Sequence, residues 1–448
     1  MNNDVLTDLK NRGVILLEFI YVDYTGIARG KTMFIDAVKN RLQDGMGITK
    51  AMPASTMRDE IVSIPGMTAT GEFRLVPDLK SLRILPNGKV ATVMCDYTQL
   101  DKKPCDFDGR VALQKVVADY AKLGYSIKMT YENEFSLFNE DENGAWHPDD
   151  PEICFATESM ERAYEFLPEL AKNLEQMGIN PVEYYPEAAP GQHELPIAPA
   201  DPLTAADNEI WLKRIVKTTL GKYGLKTSFA PKPRLEAAGN GAHIHVSVWD
   251  GKQNVFYDPK DSAKLSQAGY WFIGGLMKHL NALMALTCAS ENSYQRLQPS
   301  HWSSAYAIFG RDNREAAVRI PSTFWHDQAG STNVELKASD ATANPYVAFA
   351  GLLAAGLDGI KNHIDPNKDE EVDGNPAAMT KEDRQERHIK RLPRTLAIAL
   401  DYLENDPLFK DVFSEVGVET YLKVKRADLD YLKGMSGDEI AKYYRQAY

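Results

Sequence analysis

The chain has 448 residues, with 51 lysines and arginines against 63 aspartates and glutamates for a net charge of −12, and 44% of it is hydrophobic. This length and apolar content exclude a disordered tail or a minimal module and allow a large domain plus a smaller one. The acidic balance leaves no broad basic field for a phosphate backbone, so nucleic acid is not expected as a partner.

The N-terminal residues are polar and carry no apolar leader core, and the longest apolar stretches fall short of the roughly 20 residues a membrane span needs, so neither secretion nor membrane insertion is expected. Four scattered cysteines, Cys95, Cys105, Cys154 and Cys288, form no CxxC pair. They argue against a disulfide framework or a thiolate zinc site and for a cytoplasmic protein.

After a short polar helix, residues 14–22 are rich in β-branched and aromatic residues and run into Asp23-Tyr24-Thr25-Gly26, a strand followed by a turn, with residues 29–34 as a hairpin partner. Residues 73–76, 82–85 and 90–97 read as further strands, punctuated by Pro77-Asp78 and Pro86-Asn87-Gly88. A polar segment at 100–109 marks a boundary. The spacing then predicts a helix over 110–123 and a strand over 125–138, with helices at 160–177, 202–223, 264–286, 345–360 and 391–405. Strands and helices alternate in blocks, which points to the α+β class.

Two motifs mimic known loops and fail on spacing. Gly26 and Gly30-Lys31-Thr32 are one residue short of a phosphate loop, and a hairpin turn explains them. Asp365 to Asp369 opens like a calcium loop, yet Glu370 stands where the turn glycine must be.

The chemistry lies in carboxylates and histidines. Glu132 and Glu134 sit two apart in a strand, so both face one surface, where like charges raise a pKa unless a cation lies between them. Glu187 and Glu194 occupy a Pro/Gly-broken stretch, and His243 and His245 follow Gly239-Asn240-Gly241 on one strand face. Taken singly, each has a plain alternative as a wet strand face, a surface glutamate or a core histidine. Together, many oxygen ligands with few histidines and no thiolates favour magnesium or manganese over zinc. Arg296, Arg311, Arg314 and Arg319 gather between Asn292 and Lys337, and guanidinium forks suit phosphate or carboxylate. Read from residues alone, the pattern is that of a two-cation phosphoryl-transfer enzyme.

These blocks, in this order, resemble the glutamine synthetase family over nearly the whole chain. The most specific runs from Lys232-Pro233 through Gly239-Asn240-Gly241-Ala242-His243 to Ser247, with Arg234 where an apolar residue is usual. Glu132-x-Glu134-Phe135, Gly191-Gln192-x-Glu194, Asn292 to Leu297, Asn313-Arg314, Arg319-Ile320-Pro321 and Asn344-Pro345-Tyr346 also look like family motifs. The resemblance implies a small N-terminal β-grasp domain, placed at 1–103, and a catalytic domain with a curved antiparallel sheet at 104–448. It implies active sites shared between neighbouring subunits of a homo-oligomeric ring, six in a ring or twelve in two stacked rings.

Carried over by position, the resemblance gives Glu134, Glu187 and Glu194 to one cation and Glu132, His243 and Glu335 to the other. Arg314 and Arg319 would contact phosphate, His245 and Ser247 the nucleotide side, and Gly239 and Arg296 the glutamate substrate. The implied reaction transfers the γ-phosphoryl of ATP to the glutamate side chain and then lets an amine displace phosphate.

Three departures bear on the nucleophile and the acid. The run Pro299-Ser300-His301-Trp302 puts an indole where ammonia-using members carry a flap glutamate, and the acidic stretch expected in the small domain is missing from residues 45–56. Lys337 stands where an arginine that contacts the amino-acid substrate is expected, and it cannot make the same bidentate fork. The expectation is therefore an ATP-dependent ligase joining glutamate to an organic amine or polyamine. The alternatives are glutamine synthetase proper, using ammonia, and a non-catalytic regulatory relative.

Overall fold

The computed structural model describes residues 2–151 and 153–448. After α1 (Asn2–Asn11), β1 (Leu16–Val22) and β2 (Ala28–Phe34) form the expected hairpin. Gly26 closes its turn at φ +82°, and an added Cβ would lie 2.6 Å from the Thr342 carbonyl oxygen, so the glycine also admits the large domain's backbone. α2 (Arg41–Asp44), β3 (Met46–Thr49), β4 (Glu72–Pro77), β5 (Arg83–Ile84) and β6 (Val90–Thr98) follow. The strand order is β2-β1-β6-β4-β3 with β5 beside β6, and β1 and β6 run parallel, as in a β-grasp domain. Leu17, Phe19, Phe73, Leu75 and Val93 fill its core.

The second sheet has ten strands ordered β14-β15-β16-β12-β7-β10-β9, with β11 and β8 also on β7 and β13 on β12. Its long central strand is β7 (Tyr125–Glu140), two residues longer than the predicted span. Around it lie β8 (Trp146–Pro148), β9 (Tyr185–Pro186), β10 (Gln192–Pro196), β11 (Lys226–Ser228), β12 (Ala242–Asp250) and β13 (Gln253–Asn254). β14 (Tyr306–Arg311), β15 (Ala316–Ile320) and β16 (Val334–Leu336) complete it. Every pairing is antiparallel except β14 with β15.

Helices cover one face of this sheet: α3 (Gly109–Lys122), α6 (Pro202–Leu220), α7 (Gln267–Thr287) and α10 (Pro345–Asn362). α7 and α10 are apolar on nearly all sides because each packs between the sheet and other helices. Tyr131 of β7 stacks on Phe349 of α10 at 4.7 Å.

The helix predicted over 160–177 is two, α4 (Thr157–Ala163) and α5 (Leu167–Gln176). Pro168 falls in the first turn of α5, where its missing N–H costs nothing, and so starts a helix instead of sitting within one. The helix predicted from 264 begins at Gln267, capped by Ser266, and the one predicted from 391 is α12 (Leu396–Asn405), capped by Thr395. α8 (Glu291–Arg296), α9 (Gln328–Ser331), α11 (Lys381–Glu386), α13 (Pro407–Leu432) and α14 (Gly437–Ala447) were not anticipated.

Candidate active site

The register of the large sheet assembles the site. Glu132 on β7 faces His243 on β12, and Glu134 faces Glu194 on β10. His245 pairs with Glu335 on β16, which pairs in turn with Arg319 on β15. Directly paired residues share a face, so all seven side chains stand on one side of the sheet. Tyr131, Asn133, Ile244 and Leu336 alternate to the other side and are buried against the helices. The polar face floors a cavity of about 300 Å³, closed at its rim by Phe155, His301, Trp302 and Arg314.

Within it, His245 Nε2 lies 3.1 Å from Glu132 Oε2, and its Nδ1 lies 2.9 Å from Asn333 Oδ1. His243 Nδ1 sits 3.5 Å from Glu132 and 3.4 Å from Glu335, while its Nε2 is 3.8 Å from Glu134. Arg319 donates to Glu335 Oε2 at 2.8 Å, and Lys337 Nζ lies 3.7 Å from Glu335 Oε1. The Gln192 amide donates to Glu134 at 2.8 Å and to the Gly239 carbonyl at 3.0 Å, and Tyr185 donates a hydrogen bond to Glu194.

The carboxylates do not titrate alike. Burial and the Glu132 charge push the Glu194 carboxyl well above its usual range, and burial with Glu134 raises Glu187. For Glu132, burial acts upward but the hydrogen bonds from His243 and His245 prevail and hold it low. Glu335 is likewise drawn down to about 2, with burial opposed by Lys337 and the histidines. Burial would lower His245, yet Glu132 and Glu335 raise it to about 9.

This donor set fits hard divalent cations. Ligand atoms of Glu132, His245 and Glu335 lie within 4.8 Å of one another, and the buried Glu335 Oε1 accepts no hydrogen bond. Glu134, Glu187 and Glu194 line the same cavity. Carboxylate oxygens with imidazole suit a hard divalent cation, while the thiol in the same wall, Cys154, is held protonated by burial and the Glu187 charge.

Eleven of the fourteen residues singled out from sequence line the cavity, Gly239, Arg296, Trp302, Arg314 and Lys337 among them. An added Cβ at Gly239 would lie 2.2 Å from the Pro231 oxygen and 2.8 Å from Arg296 Cγ, so the backbone there must be bare. Arg296 donates to the Ser339 carbonyl at 2.8 Å. His245 and Arg319 do not line the cavity but touch carboxylates that do. Ser247 stands farther along β12, accepts the Trp249 indole N–H at 2.9 Å and does not reach the cavity.

Sequence reasoning assigned no role to Tyr185, Gln192, Lys232 or Phe155. Gln192 and Lys232 lay within motifs already quoted, and Tyr185 stands two residues before Glu187; Phe155, at φ +59° in a loop, carries no sequence signal.

The family described as "Glutamine synthetase, catalytic domain" matches residues 106–443, and "Glutamine synthetase N-terminal domain" matches residues 1–109. A glutamine synthetase of Clostridium saccharobutylicum is 34% identical over 435 residues, covering 95% of this chain and 94% of its own. One of Methanosarcina mazei is 32% identical over 440 residues, covering 96% and 95%. Among solved structures, a novel glutamine synthase homolog superposes with a TM-score of 0.86 at 30% identity, covering 97% of this chain and 99% of its own. A GmaS/ADP complex superposes with a TM-score of 0.83 at 28% identity, covering 97% of each. Matches across both sheets and the whole catalytic face make the protein an ATP-dependent carbon–nitrogen ligase. The chain belongs to the glutamine synthetase family.

Proposed function

We propose that this ligase forms a γ-glutamyl amide from glutamate and an organic amine or polyamine. The observation that carries the reading is Trp302 in the cavity wall, at the position where the family resemblance leads one to expect a carboxylate. Phe155 packs edge-on against Tyr185 at 5.3 Å in the same wall. An alkyl or aryl substituent gains about 25 cal/mol for each Å² it buries against such rings.

In this reading Glu134, Glu187 and Glu194 hold one cation and Glu132, His243 and Glu335 the other, with His245 steadying Glu132. Magnesium or manganese, when bound, neutralises charge on the phosphoryl group. Arg314 at the rim and Arg319 beside Glu335 face the phosphates. Gly239, Arg296 and Lys337 hold the amino acid, with Lys337 making a single-point contact. The nucleotide-side assignment of His245 and Ser247 rests on family resemblance, and a similar solved structure is a complex with ADP. Two domains meeting near residue 103, a homo-oligomeric ring and a cytoplasmic setting complete the proposal. Among the described residues no helix is long and apolar enough to cross a membrane.

The curated relatives named glutamine synthetase favour a second reading, with ammonia as nucleophile. An amine panel followed by phosphate release, with glutamate varied separately, decides between them. At least one organic amine should exceed ammonia in kcat/KM by about tenfold, or roughly 1.4 kcal/mol. Ammonia as the best nucleophile across the panel sinks the first reading.

A further inference from the structure

The cavity wall holds a lysine to which the preceding reading gives no work. Lys232 is 4% exposed and lines the cavity beside Ala238, Gly239 and Arg296. Its backbone is clamped from both sides by one amide: Lys232 N–H donates to Asn292 Oδ1 at 2.8 Å, and its carbonyl accepts from Asn292 Nδ2 at 3.0 Å. Its Nζ donates to the Ala237 carbonyl at 2.6 Å, which sets the ammonium against the chain that continues into Ala238 and Gly239 of the wall. The loop between is closed by the Asn240 N–H, which donates to the Pro231 carbonyl at 2.8 Å. Gly241 keeps the approach open as Gly239 does, for an added Cβ there would lie 3.1 Å from Arg296 Nη1.

Two buried cations therefore share this wall. Among the described residues no aspartate or glutamate forms an ion pair with either, and Glu236, whose charge does reach Lys232, pairs with Arg234 at 3.0 Å. Lys232 meets only a neutral carbonyl, and so does Arg296, at Ser339 and Lys337, while Arg296 Nε is buried with no hydrogen-bond partner. Burial and the Arg296 charge both act against the Lys232 ammonium. Burying like charges without a counter-ion is costly, and an anion that arrives as substrate offsets the cost. Glutamate brings two carboxylates. The reacting one belongs with the cations and the phosphoryl group, at the floor formed by Glu132, Glu134, Glu194 and Glu335. The other needs positive groups free of protein carboxylates. Lys337 does not meet that condition, since its Nζ lies 3.7 Å from Glu335 Oε1, whereas Lys232 and Arg296 do.

We propose that Lys232 is a second contact for the α-carboxylate of the acid substrate, beside Arg296, and so makes the enzyme select dicarboxylic acids over acids that lack that group. The guanidinium supplies a planar fork and the ammonium a point charge, so together they grip one carboxylate from two directions. This deepens the ligase reading and rests on glutamate as the acid, but not on the choice of nucleophile.

The test uses the full-length enzyme with magnesium, any nucleophile that turns over, and glutarate, which has both carboxylates and no amino group, as a calorimetric probe. Lys232→Gln keeps an N–H donor for the Ala237 carbonyl while removing the charge. It should raise the glutamate KM and the glutarate Kd at least about tenfold, with the ATP KM changed less than about twofold. Lys232→Arg keeps the charge and should recover most of the loss. A glutamate KM that stays at the parent value in Lys232→Gln overturns the proposal. Glutamate and ATP KM rising together, or equal losses in Lys232→Gln and Lys232→Arg, mark Lys232 as a tie for the Ala237 carbonyl and overturn it as well. If the parent enzyme turns over no glutamate, the reading of the acid fails, and the glutarate titration still decides the role of Lys232: weaker binding in Lys232→Gln upholds it and equal binding sinks it.

Discussion

Glu134 illustrates how one carboxylate serves several constraints at once. It faces Glu194 across the strand pair, and its Oε2 accepts both from Gln192 at 2.8 Å and from the Gly241 backbone N–H at 2.9 Å. Glu134→Gln keeps the side chain's shape and removes a negative charge that a cation needs. Turnover should fall below about one-hundredth of the parent rate while assembly by light scattering is unchanged, and full activity in that variant or in chelator refutes the cation assignment. Trp302 is 67% exposed, so its indole contributes little to packing. Trp302→Glu should therefore fold normally and shift preference from alkylamine toward ammonia by about tenfold, measured as the ratio of kcat/KM values. An unchanged ratio removes the indole from the selection of nucleophile.

At the scale of elements, His279 on α7 links three helices. Its Nδ1 lies 2.6 Å from Asp406, the cap of α13, and its Nε2 lies 3.1 Å from Asp358 on α10, where Lys278 also pairs at 2.7 Å. Burial works to lower its pKa, but the two aspartates win and raise it. A histidine raised above its unfolded value near 6.5 contributes its stabilisation fully below that pH and loses it as pH climbs through the folded pKa. His279→Gln should cost about 1–3 kcal/mol at pH 6 and progressively less in alkaline solution, read from denaturant midpoints. A constant difference across pH refutes the charged bridge.

The same scale shows which features could be read from the sequence. β7, α6 and α10 announced themselves because long periodic stretches carry their own caps and turns, Asp201 and Asn344 among them. β9, β10 and β16 did not, because two to five residues give no periodicity, and their place comes from pairing with a strand distant in sequence. The site residues were legible as motifs. Which atoms meet was not: that His245 lies against Glu132, and that the Trp302 backbone N–H donates to Glu315, depends on register and on loop backbone.

Across the whole molecule, Arg110 ties the small sheet to the large domain. Its guanidinium donates to Asp78 at 2.8 Å and Asp96 at 2.7 Å, and lies 3.6 Å from Asp207, whose carboxyl accepts from Tyr346 at 2.5 Å. Burial lifts Asp207 to about 6 despite Arg110. Arg110→Ala leaves three carboxylates facing one another and should cost about 3–5 kcal/mol, with Arg110→Lys recovering part of it. A loss under about 1 kcal/mol in the denaturant midpoint shows that the network is ornamental.

β7 is flanked on both edges here: Glu132, Asn133 and Glu134 pair with β10, Glu132 and Asn133 pair with β12, and the Glu134 N–H donates to the Gly241 carbonyl at 3.0 Å just before β12 begins. Amides so placed exchange with solvent only when the whole domain opens, so the repulsion among the carboxylates cannot be relieved by local fraying and is carried by global stability. Cation binding then acts as thermodynamic linkage: at a hundred times its Kd, one bound ion adds about 2.7 kcal/mol. Deuterium uptake at these three amides should therefore slow in step with the rise in melting temperature as manganese is added, and exchange that ignores the metal uncouples the site from the sheet.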